Sequence, residues 1–478
     1  MSHPRFSVRP NRAHLIHWRE WGQATFDDAA RQDRLIALFV TAFWCGVCQR
    51  LDETTLSSDE VQLLLNACFA PIRIEESQRP DVDLRYTRDG WPTIVFLTPQ
   101  GAPILSVNAM DPEPFISLLV RLVDAHDKHA IQAAPSEAQV SQVAADPSQL
   151  SAATAQEIVH LLRGLADPIH GGFGGPHKHF HTDALAFFLH LGLTEHVKLT
   201  LDTLVERAIY DQSDGGFFRY SSQPDWNEPH LEKLLIDQAN LLKIYLQAGN
   251  YQTIAARLID YLNGTLGTQH PPFFSGCQDF LPEPIIDDYI YCDANAHLAS
   301  AYFAAWRVLG RDDCRERAEH VLDGVWATLR CASGGMYHYF DGQPRAPGLL
   351  IDSVATGLAC LDGHAALGEQ RFLERATQLG RDILRLHLNP AGGLFDISQP
   401  GPGALQRPMM VLTQNAAAAM LFVRLADATA DLRFRDAAQW ALLSYSGSAE
   451  VYGAYAASFG HALDLFLSPT PSARRPGR

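Results

Sequence analysis

The 478-residue sequence lacks several features that would place it in a specialised class. No apolar run approaches about 18 residues, so a membrane-spanning helix is not expected. The net charge is −16 and no basic stripe offsets it, which argues against a nucleic-acid partner. The first 14 residues have no apolar core and no cleavage site, so no signal peptide is predicted. We therefore expect a cytoplasmic protein that binds neither nucleic acid nor a membrane.

Cysteines are few and scattered. Of the eight cysteines, only Cys45 and Cys48 lie close together in sequence. We therefore expect no disulfide framework, and we expect the protein to reside in a reducing compartment. No second C-x-x-C or nearby ligand pair completes a four-ligand zinc site. His177, His179 and His181 alternate along one segment, so one side of it could carry all three and bind a metal ion, but a solvated loop is the preferred interpretation. We predict no cofactor and no resident metal.

What is present in the N-terminal third is the pattern of a small α/β domain. Residues 35–40 are apolar and β-branched, as in a buried strand, and 70–76 and 91–101 are two further predicted strands. Helices are predicted over 48–69 and 112–126. The order β-α-β-β-α suits a compact α/β unit, which we place at residues 1–130.

The first strand runs directly into Cys45 and Cys48, and this placement predicts a redox pair. Unpaired N–H groups at a helix start favour a thiolate, lowering the pKa of Cys45 and making it the attacking nucleophile. Cys48 would then resolve the mixed disulfide. We expect the Trp91–Pro92 peptide to be cis and to lie beside the sulfurs, with Pro92 shaping the substrate groove and Trp44 and Trp91 contacting substrate. Idle or structural cysteines in the same fold are the alternative.

Residues 131–149 are rich in Ala, Ser and Gln and are predicted to be a linker to a second domain at 150–470. That domain is predicted to be almost entirely helical, with alternating long and short connections. The twelve predicted helices lie near 150–164, 183–192, 195–209, 230–248, 251–267, 291–309, 312–330, 351–367, 370–387, 412–428, 431–445 and 453–466.

The alternation of loop lengths predicts a closed ring of six helical hairpins, an (α/α)6 toroid, because every long loop then emerges at one end. Open helical repeats are the alternative. Four long loops carry a Gly-Gly pair, which permits tight turns with positive φ. We expect the aromatic side chains beside those pairs to line the mouth of the ring. The fold class is thus multidomain, α/β followed by all-α.

The densest polar cluster of the second domain is "NEPHLEKLLIDQ", residues 227–238. If a helix begins near its proline, His230, Lys233 and Asp237 share one helix face, which suits binding or acid–base work. Glu232 would act at the helix start or complement its dipole. The candidate ligand contacts are Arg219, Tyr220, Trp226, His230, Glu232, Lys233 and Asp237.

Toroids of this shape often bind sugars, through stacking aromatics and paired carboxylates that serve as acid and base. No catalytic pair can be chosen from sequence, and buried ion pairs and helix caps that hold the ring together are the alternative role. The carboxylates predicted near the mouth are Asp167, Asp211, Asp214, Asp279, Asp287, Asp288 and Asp396.

The motifs "WCGVC" and "WPT" resemble those of thioredoxins. With "LLLNACFAPIRIEESQRPDVD", "DQSDGGFFRYSSQPDWNEPHLEKLLIDQANLLKIYL" and "GGFGGPHKHF", the chain resembles the spermatogenesis-associated protein 20 family. That resemblance implies a thioredoxin-like domain followed by a six-hairpin, glycosidase-like toroid. Two departures stand out. Gly46, Val47 and Gln49 replace the histidines expected in and after the pair, and Phe39 replaces the buried aspartate of thioredoxins.

The expected function is thiol–disulfide exchange by Cys45 and Cys48 with a protein thiol or disulfide client. The first alternative is a carbohydrate-active toroid, a glycoside hydrolase or sugar isomerase or epimerase, with an accessory thioredoxin-like domain and a small-molecule or sugar ligand. The second alternative is a non-catalytic scaffold.

Overall fold

The computed structural model describes residues 4–132, 148, 150–268, 272–280 and 284–468. The chain divides into two compact units, Met1–Val140 with Gln399–Pro408, and Ser141–Ser398 with Met409–Arg478. The predicted linker, 131–149, lies outside the described residues except at 131, 132 and 148. No helix within the described ranges combines the length and the apolarity that crossing a bilayer requires.

The N-terminal unit is built on a four-stranded sheet in the order β2-β1-β3-β4. Strand β1 (Leu35–Thr41) pairs in parallel with β2 (Phe69–Glu75) and antiparallel with β3 (Thr93–Leu97), and β4 (Pro103–Val107) completes the edge. Every residue of β1 is buried, as its sequence LIALFVT predicts for a central strand covered on both faces.

Five helices flank this sheet, and the sequence prediction was incomplete here. The predicted helix over 48–69 is two helices, because the chain turns at Thr54 and a second helix begins after Ser58 with two acidic residues in its first turn. The first and fourth helices and strand β4 were not predicted. The helices are α1 (Gln23–Arg31), α2 (Gly46–Glu53), α3 (Asp59–Cys68), α4 (Pro80–Tyr86) and α5 (Pro112–Asp127).

The segment Gln399–Pro408 belongs to the N-terminal unit although it lies far along the chain. Within that unit the backbone N–H of Ala404 donates to the hydroxyl of Tyr86 over 2.8 Å. The sequence pattern predicts this segment to be part of the toroid, because its composition carries no sign of the contact.

The second unit contains all twelve predicted helices, within a few residues of their predicted bounds. One of them, Gln252–Tyr261, is followed by a π-helical turn at Leu262–Leu266. The helices are α6 (Ala152–Leu165), α7 (Thr182–His190), α8 (Thr194–Glu206), α9 (Leu235–Ala248), α10 (Gln252–Tyr261), α11 (Cys292–Leu309), α12 (Asp312–Leu329), α13 (Leu350–Leu367), α14 (Gln370–Leu386), α15 (Leu412–Thr429), α16 (Leu432–Leu443) and α17 (Ala456–Leu467).

The helices form a closed ring. Helices α7, α9, α11, α13, α15 and α17 each contact the next, and α17 returns to α7, while the other six helices pack outside them. The last helix also packs on α6, so the two ends of the unit close the ring. The predicted toroid is confirmed, and the alternative prediction of an open array of helical repeats is wrong. Each long loop leads to the N-terminus of an inner helix, so the loops gather at that end of the ring, here called the mouth.

Short strands order these long loops. They pair within or between neighbouring loops, in the strand orders β5-β6, β7-β8-β9 and β10-β11-β12. Their bounds are β5 (Tyr220–Ser221), β6 (Pro229–His230), β7 (Lys233–Leu234), β8 (Cys277–Asp279), β9 (Ile285–Asp287), β10 (Ile290–Tyr291), β11 (Tyr337–Phe340) and β12 (Pro344–Pro347).

The Gly-Gly pairs adopt positive φ as predicted, for example +69° at Gly171 and +71° at Gly172. The prediction that the aromatic side chains beside these pairs line the mouth is wrong for Phe173 and Phe217, which are fully buried. The residue after each pair is in the core, because a bridge to the end of the preceding outer helix turns it inward. These buried residues are Phe173, Phe217, Met336 and Leu394, and Phe274 takes the same position in the loop without a glycine pair.

Candidate functional sites

The Cys45–Cys48 pair sits where β1 ends and α2 begins. Cys45 is the N-cap of α2, and its sulfur accepts a hydrogen bond from the backbone N–H of Cys48 over 3.1 Å. The structure pairs the two residues as a disulfide, with Cα atoms 5.2 Å apart. Both are buried, whereas Val47 between them is 48% exposed. A thiolate formed at Cys45 would therefore lie against the unpaired N–H groups of the helix start.

The Trp91–Pro92 peptide faces this pair, and the cis geometry predicted for it is confirmed. The Cys45 sulfur lies 3.5 Å from the carbonyl oxygen of Trp91. The rings of Trp44 and Trp91 meet edge to face with centroids 5.1 Å apart, and the Trp44 indole N–H donates to Glu76 over 3.1 Å. Trp44 is buried and Trp91 half-buried, so Trp91 is the more accessible of the two predicted substrate contacts.

The position of the missing thioredoxin aspartate is apolar in this structure. Phe39 is fully buried and packs edge to face on Trp18. Helix α2 carries a buried acid, Asp52, which binds Arg73 on β2 through contacts of 2.5 and 3.1 Å. Since Arg73 is the strand partner of Phe39, the charge pair lies beside the apolar site without replacing its carboxylate.

At the mouth of the toroid, the polar segment 227–238 is not one helix. His230 lies on β6 and Lys233 on β7, and α9 begins only at Leu235. The prediction that His230, Lys233 and Asp237 share a helix face is therefore wrong. Strand pairing of β6 with β5 and of β7 with β8 holds the backbone extended up to the helix.

Two of the predicted ligand contacts are structural. Lys233 is fully buried, and its ammonium donates to the Asp211 carboxylate and to the Gly215 carbonyl, each over 2.7 Å. Trp226 is also fully buried, and its indole N–H donates to the carbonyl of His170 over 3.0 Å. Neither side chain reaches the open mouth, so their role is to fix the loops.

Most of the predicted mouth carboxylates also hold loops. Asp167 accepts from the buried Lys178 over 2.8 Å and from the backbone N–H groups of Ile169 and His170. These contacts, led by the Lys178 hydrogen bond, overcome burial and hold the pKa of Asp167 well below its usual range. Asp211 repeats the arrangement with Lys233. Further carboxylates fixed by hydrogen bonds to neighbouring loop atoms are Asp279, Asp287 and Asp396.

A different environment surrounds the two acids among the predicted ligand contacts, Glu232 and Asp237. Burial raises the pKa of Glu232 to about 7, with Arg219 opposing the shift and Asp279 adding to it. The Oε2 atom of Glu232 is buried with no hydrogen-bond partner among the described residues. Burial likewise raises the pKa of Asp237 to about 6, against the charge of Arg219. We call Arg219, Glu232 and Asp237 the acid cluster.

Beside the acid cluster, five rings form a row along the rim of the mouth. The Tyr220 ring stacks on His230 at 4.1 Å and on His179 at 4.9 Å, and the row continues edge to face from His181 to Tyr455. Burial, followed by the charge of Arg219, lowers the pKa of His179 and of His230. Tyr455 is 56% exposed. We call these five residues the rim row.

Sequence analysis missed a third cluster, formed by Asp293, His338 and Asp352. The His338 Nδ1 atom lies 3.0 and 3.1 Å from the two carboxylate oxygens of Asp352, and all three side chains are buried. Burial raises the pKa of Asp352 to about 6, which His338 opposes and Asp293 reinforces. One sequence signal was present, because four inner helices carry an aspartate in the first turn: Asp183, Asp237, Asp293 and Asp352.

These features define a two-part class of protein: a thioredoxin-like unit with a C-x-x-C at a helix start, and an (α/α)6 toroid. Residues 7–142 match the model of a family described as Thioredox_DsbH, protein of unknown function, DUF255. The chain resembles spermatogenesis-associated protein 20 of Mus musculus, with 28% identity over 302 residues. That match covers 54% of this chain and 38% of the relative, so the chain spans well under half of the relative's length.

Solved structures resemble the toroid. The cellobiose 2-epimerase of Bacillus thermoamylovorans B4167 gives a TM-score of 0.52 at 12% identity, over 62% of this chain and 85% of that one. A sugar epimerase from a ruminal bacterium gives a TM-score of 0.53 at 15% identity. That match covers 62% of this chain and 87% of the epimerase. At these identities the likeness establishes the fold alone.

Proposed function

We propose that the protein catalyses thiol–disulfide exchange through Cys45 and Cys48. The observation that carries this proposal is the position of Cys45, which caps α2 with its sulfur on the Cys48 N–H and faces the cis Trp91–Pro92 peptide. A helix start favours the thiolate, which is the reactive form in exchange. The half-buried Trp91 provides a surface beside the sulfur for an extended client segment.

In the proposed exchange, the Cys45 thiolate attacks one sulfur of a client disulfide. A Cys45–client S–S bond forms, the client S–S bond breaks, and the second client sulfur leaves as a thiolate. The Cys48 thiolate then attacks the Cys45 sulfur, forms the internal disulfide and releases the first client sulfur. Two electrons pass from the dithiol to the client, and the reverse sequence oxidises a client dithiol.

Trapping of the mixed disulfide tests the proposal. A Cys48→Ser variant of the full chain, reduced and then mixed with a disulfide-bonded model protein such as insulin, should accumulate a covalent adduct that dithiothreitol releases. Cys45→Ser should form none. Cys68→Ser is the matched control, because Cys68 is a free cysteine of the same unit, and it should behave as the parent protein does. An equal yield of adduct from Cys45→Ser and Cys48→Ser would contradict the assigned nucleophile.

A second candidate function is carbohydrate binding or turnover at the mouth of the toroid. The acid cluster favours it, since a buried carboxyl with a pKa near neutrality and an unpartnered oxygen is suited to general acid–base work. The rim row offers exposed rings of the kind on which sugars stack. The fold shared with sugar epimerases adds support from analogy.

Thermal shift with a panel of mono- and oligosaccharides tests this candidate. We expect one sugar class to raise the melting temperature, and expect Asp237→Asn and Glu232→Gln to remove the shift. Glu228→Gln, at an exposed acid on the same hairpin, is the control and should retain it. The absence of any shift across a broad panel would count against the candidate without affecting the redox proposal.

A further inference from the structure

The cluster of Asp293, His338 and Asp352 joins three separate elements of the toroid. Asp293 lies in the first turn of α11, His338 on β11 and Asp352 in the first turn of α13. One ligand atom from each residue lies within 4.8 Å of the other two. Among the residues that the structure describes, this is the one group of three or more such side chains that meets this spacing.

The cluster contains one carboxylate more than an ordinary His–Asp ion pair. A single His–Asp pair is neutral when the imidazole is protonated, but Asp293 adds a second carboxylate to the same buried site. A second carboxylate charge in such a buried site is costly unless a positive charge balances it. The N-termini of α11 and α13 offset part of this negative charge but are only partial dipoles.

We propose that Asp293, His338 and Asp352 bind a divalent transition-metal ion, with Zn²⁺ as the best match. One imidazole nitrogen and two carboxylate oxygens form a ligand set that Zn²⁺ accepts. The two positive charges of the ion balance the two carboxylates, so the imidazole can bind in its neutral form. Three protein ligands leave a coordination position for a water molecule or for an oxygen of a ligand.

The surroundings of the cluster are buried and include further side chains of the kind that metal ions bind. Two further side chains of the metal-ligating type, Cys292 and Cys331, are buried, and Cys292 directly precedes Asp293 at the start of α11. The Cys292 sulfur is held 3.5 Å from the hydroxyl of Thr356. The ring of Tyr291 lies 5.8 Å from that of His338 and shields it. The Asp293 carboxylate accepts a hydrogen bond from the backbone N–H of Ala294 over 2.8 Å, and supporting contacts of this kind orient metal ligands in known sites.

Metal content and affinity of the full chain test the proposal. The protein is stripped with EDTA, dialysed, and titrated with ZnCl₂ by calorimetry, with bound metal counted by mass spectrometry. We expect one Zn²⁺ per chain for the parent protein. His338→Gln and Asp293→Asn should each weaken binding by about 100-fold or more, since loss of a supporting contact alone costs about 10- to 100-fold.

His170→Gln is the matched control. His170 forms a His–Asp pair of 3.3 Å with Asp167 elsewhere in the toroid and should keep the parent affinity when changed. Circular dichroism on every variant establishes that the chain is folded before its affinity is compared. If either ligand variant unfolds, Co²⁺ bound to the parent protein still tests the ligand set, by d–d absorption without a thiolate charge-transfer band.

Three results would overturn the proposal. One is a stripped parent protein that takes up no stoichiometric Zn²⁺. Another is a folded His338→Gln variant that binds Zn²⁺ as tightly as the parent and the His170→Gln control do. The third is a thiolate charge-transfer band in the Co²⁺ form, which would assign the ion to Cys292 and Cys331 instead.

Discussion

Asn295 holds both backbone groups of Phe274. Its side-chain oxygen accepts the Phe274 N–H over 2.9 Å, and its amide donates to the Phe274 carbonyl over 3.0 Å. The same clamp recurs between Gln238 and Phe217 and between Asn415 and Leu394, each time across 21 residues. A side-chain amide near the start of an inner helix thus anchors the long loop that precedes it. The loops of the mouth are therefore fixed by hydrogen bonds to the inner helices.

Asn295→Leu should destabilise the toroid by about 2–4 kcal/mol. The substitution keeps the volume but leaves a buried N–H and a buried C=O without partners, and each unsatisfied group costs about 1–3 kcal/mol. Chemical denaturation measures the change. Gln252→Leu, at an exposed amide on α10, is the control and should shift stability by no more than about 0.5 kcal/mol. Equal effects of the two changes would contradict the clamp.

Gly171→Ala should destabilise the first long loop by about 2 kcal/mol or more. Gly171 has a φ of +69°, and an added Cβ would lie 2.6 Å from the backbone Cα of Thr200, so strain and overlap combine. Gly175→Ala in the same loop meets nothing within 4 Å and should be neutral or slightly stabilising. Melting temperatures of the two variants check the difference. A Gly171→Ala variant as stable as Gly175→Ala would show that the turn is not constrained.

Asp52→Asn should destabilise the N-terminal unit by about 3–5 kcal/mol, because Arg73 is left as an uncompensated buried charge. The side chains of Asp52 and Arg73 are only 1% and 5% exposed. Lys128→Ala, which removes an exposed pair with Asp124, should have little effect. Denaturation followed by tryptophan emission reports the change. Similar midpoints for both variants would mean that the buried pair contributes no more than a surface one.

Glu232 should make the toroid less stable as pH rises. Its pKa is raised from 4.5 to about 7 by burial, so the folded chain holds this proton more tightly than the unfolded chain does. Stability therefore falls between pH 4.5 and 7, by about 3 kcal/mol in total, and the loss is complete above pH 7. Glu232→Gln stays neutral and should show a smaller fall between pH 5 and 8 in denaturation experiments.

Glu228→Gln, at the exposed acid of the same hairpin, is the control for that pH series and should follow the parent protein. A residual decline in Glu232→Gln is expected from Asp237, whose pKa is raised to about 6. If Glu232→Gln declines as steeply as the parent protein, Glu232 does not hold its proton in the folded chain.

The sequence predicted the elements whose signals are local. The alternation of long and short loops is sufficient to infer twelve helices in a closed ring, and the strand before Cys45 is sufficient to place the cysteine pair at a helix start. The burial and contacts of side chains that depend on neighbouring loops could not be predicted from the sequence. Lys233 has the composition of a ligand contact, but its burial follows from Asp211, which lies 22 residues earlier in another turn.

The missed cluster shows the same limit. His338 stands in the segment YHYF among aromatic residues, and nothing in that segment marks a partner. Its neighbour Asp352 reaches it only because β11 folds back toward the start of α13. The aspartates in the first turns of the inner helices were visible as a pattern, but first-turn acids are common for dipole reasons alone and so identified no site.

The most direct measurement for the central proposal is the pH dependence of alkylation at Cys45. The reduced chain is treated with iodoacetamide across a pH series, and modification at each cysteine is quantified by mass spectrometry, with Cys68 as the reference thiol. The account predicts that Cys45 reacts with an apparent pKa clearly below the value of about 8.5 for a free cysteine, and that mild oxidant restores the Cys45–Cys48 disulfide. An ordinary thiol pKa at Cys45, together with no disulfide under mild oxidant, would contradict it.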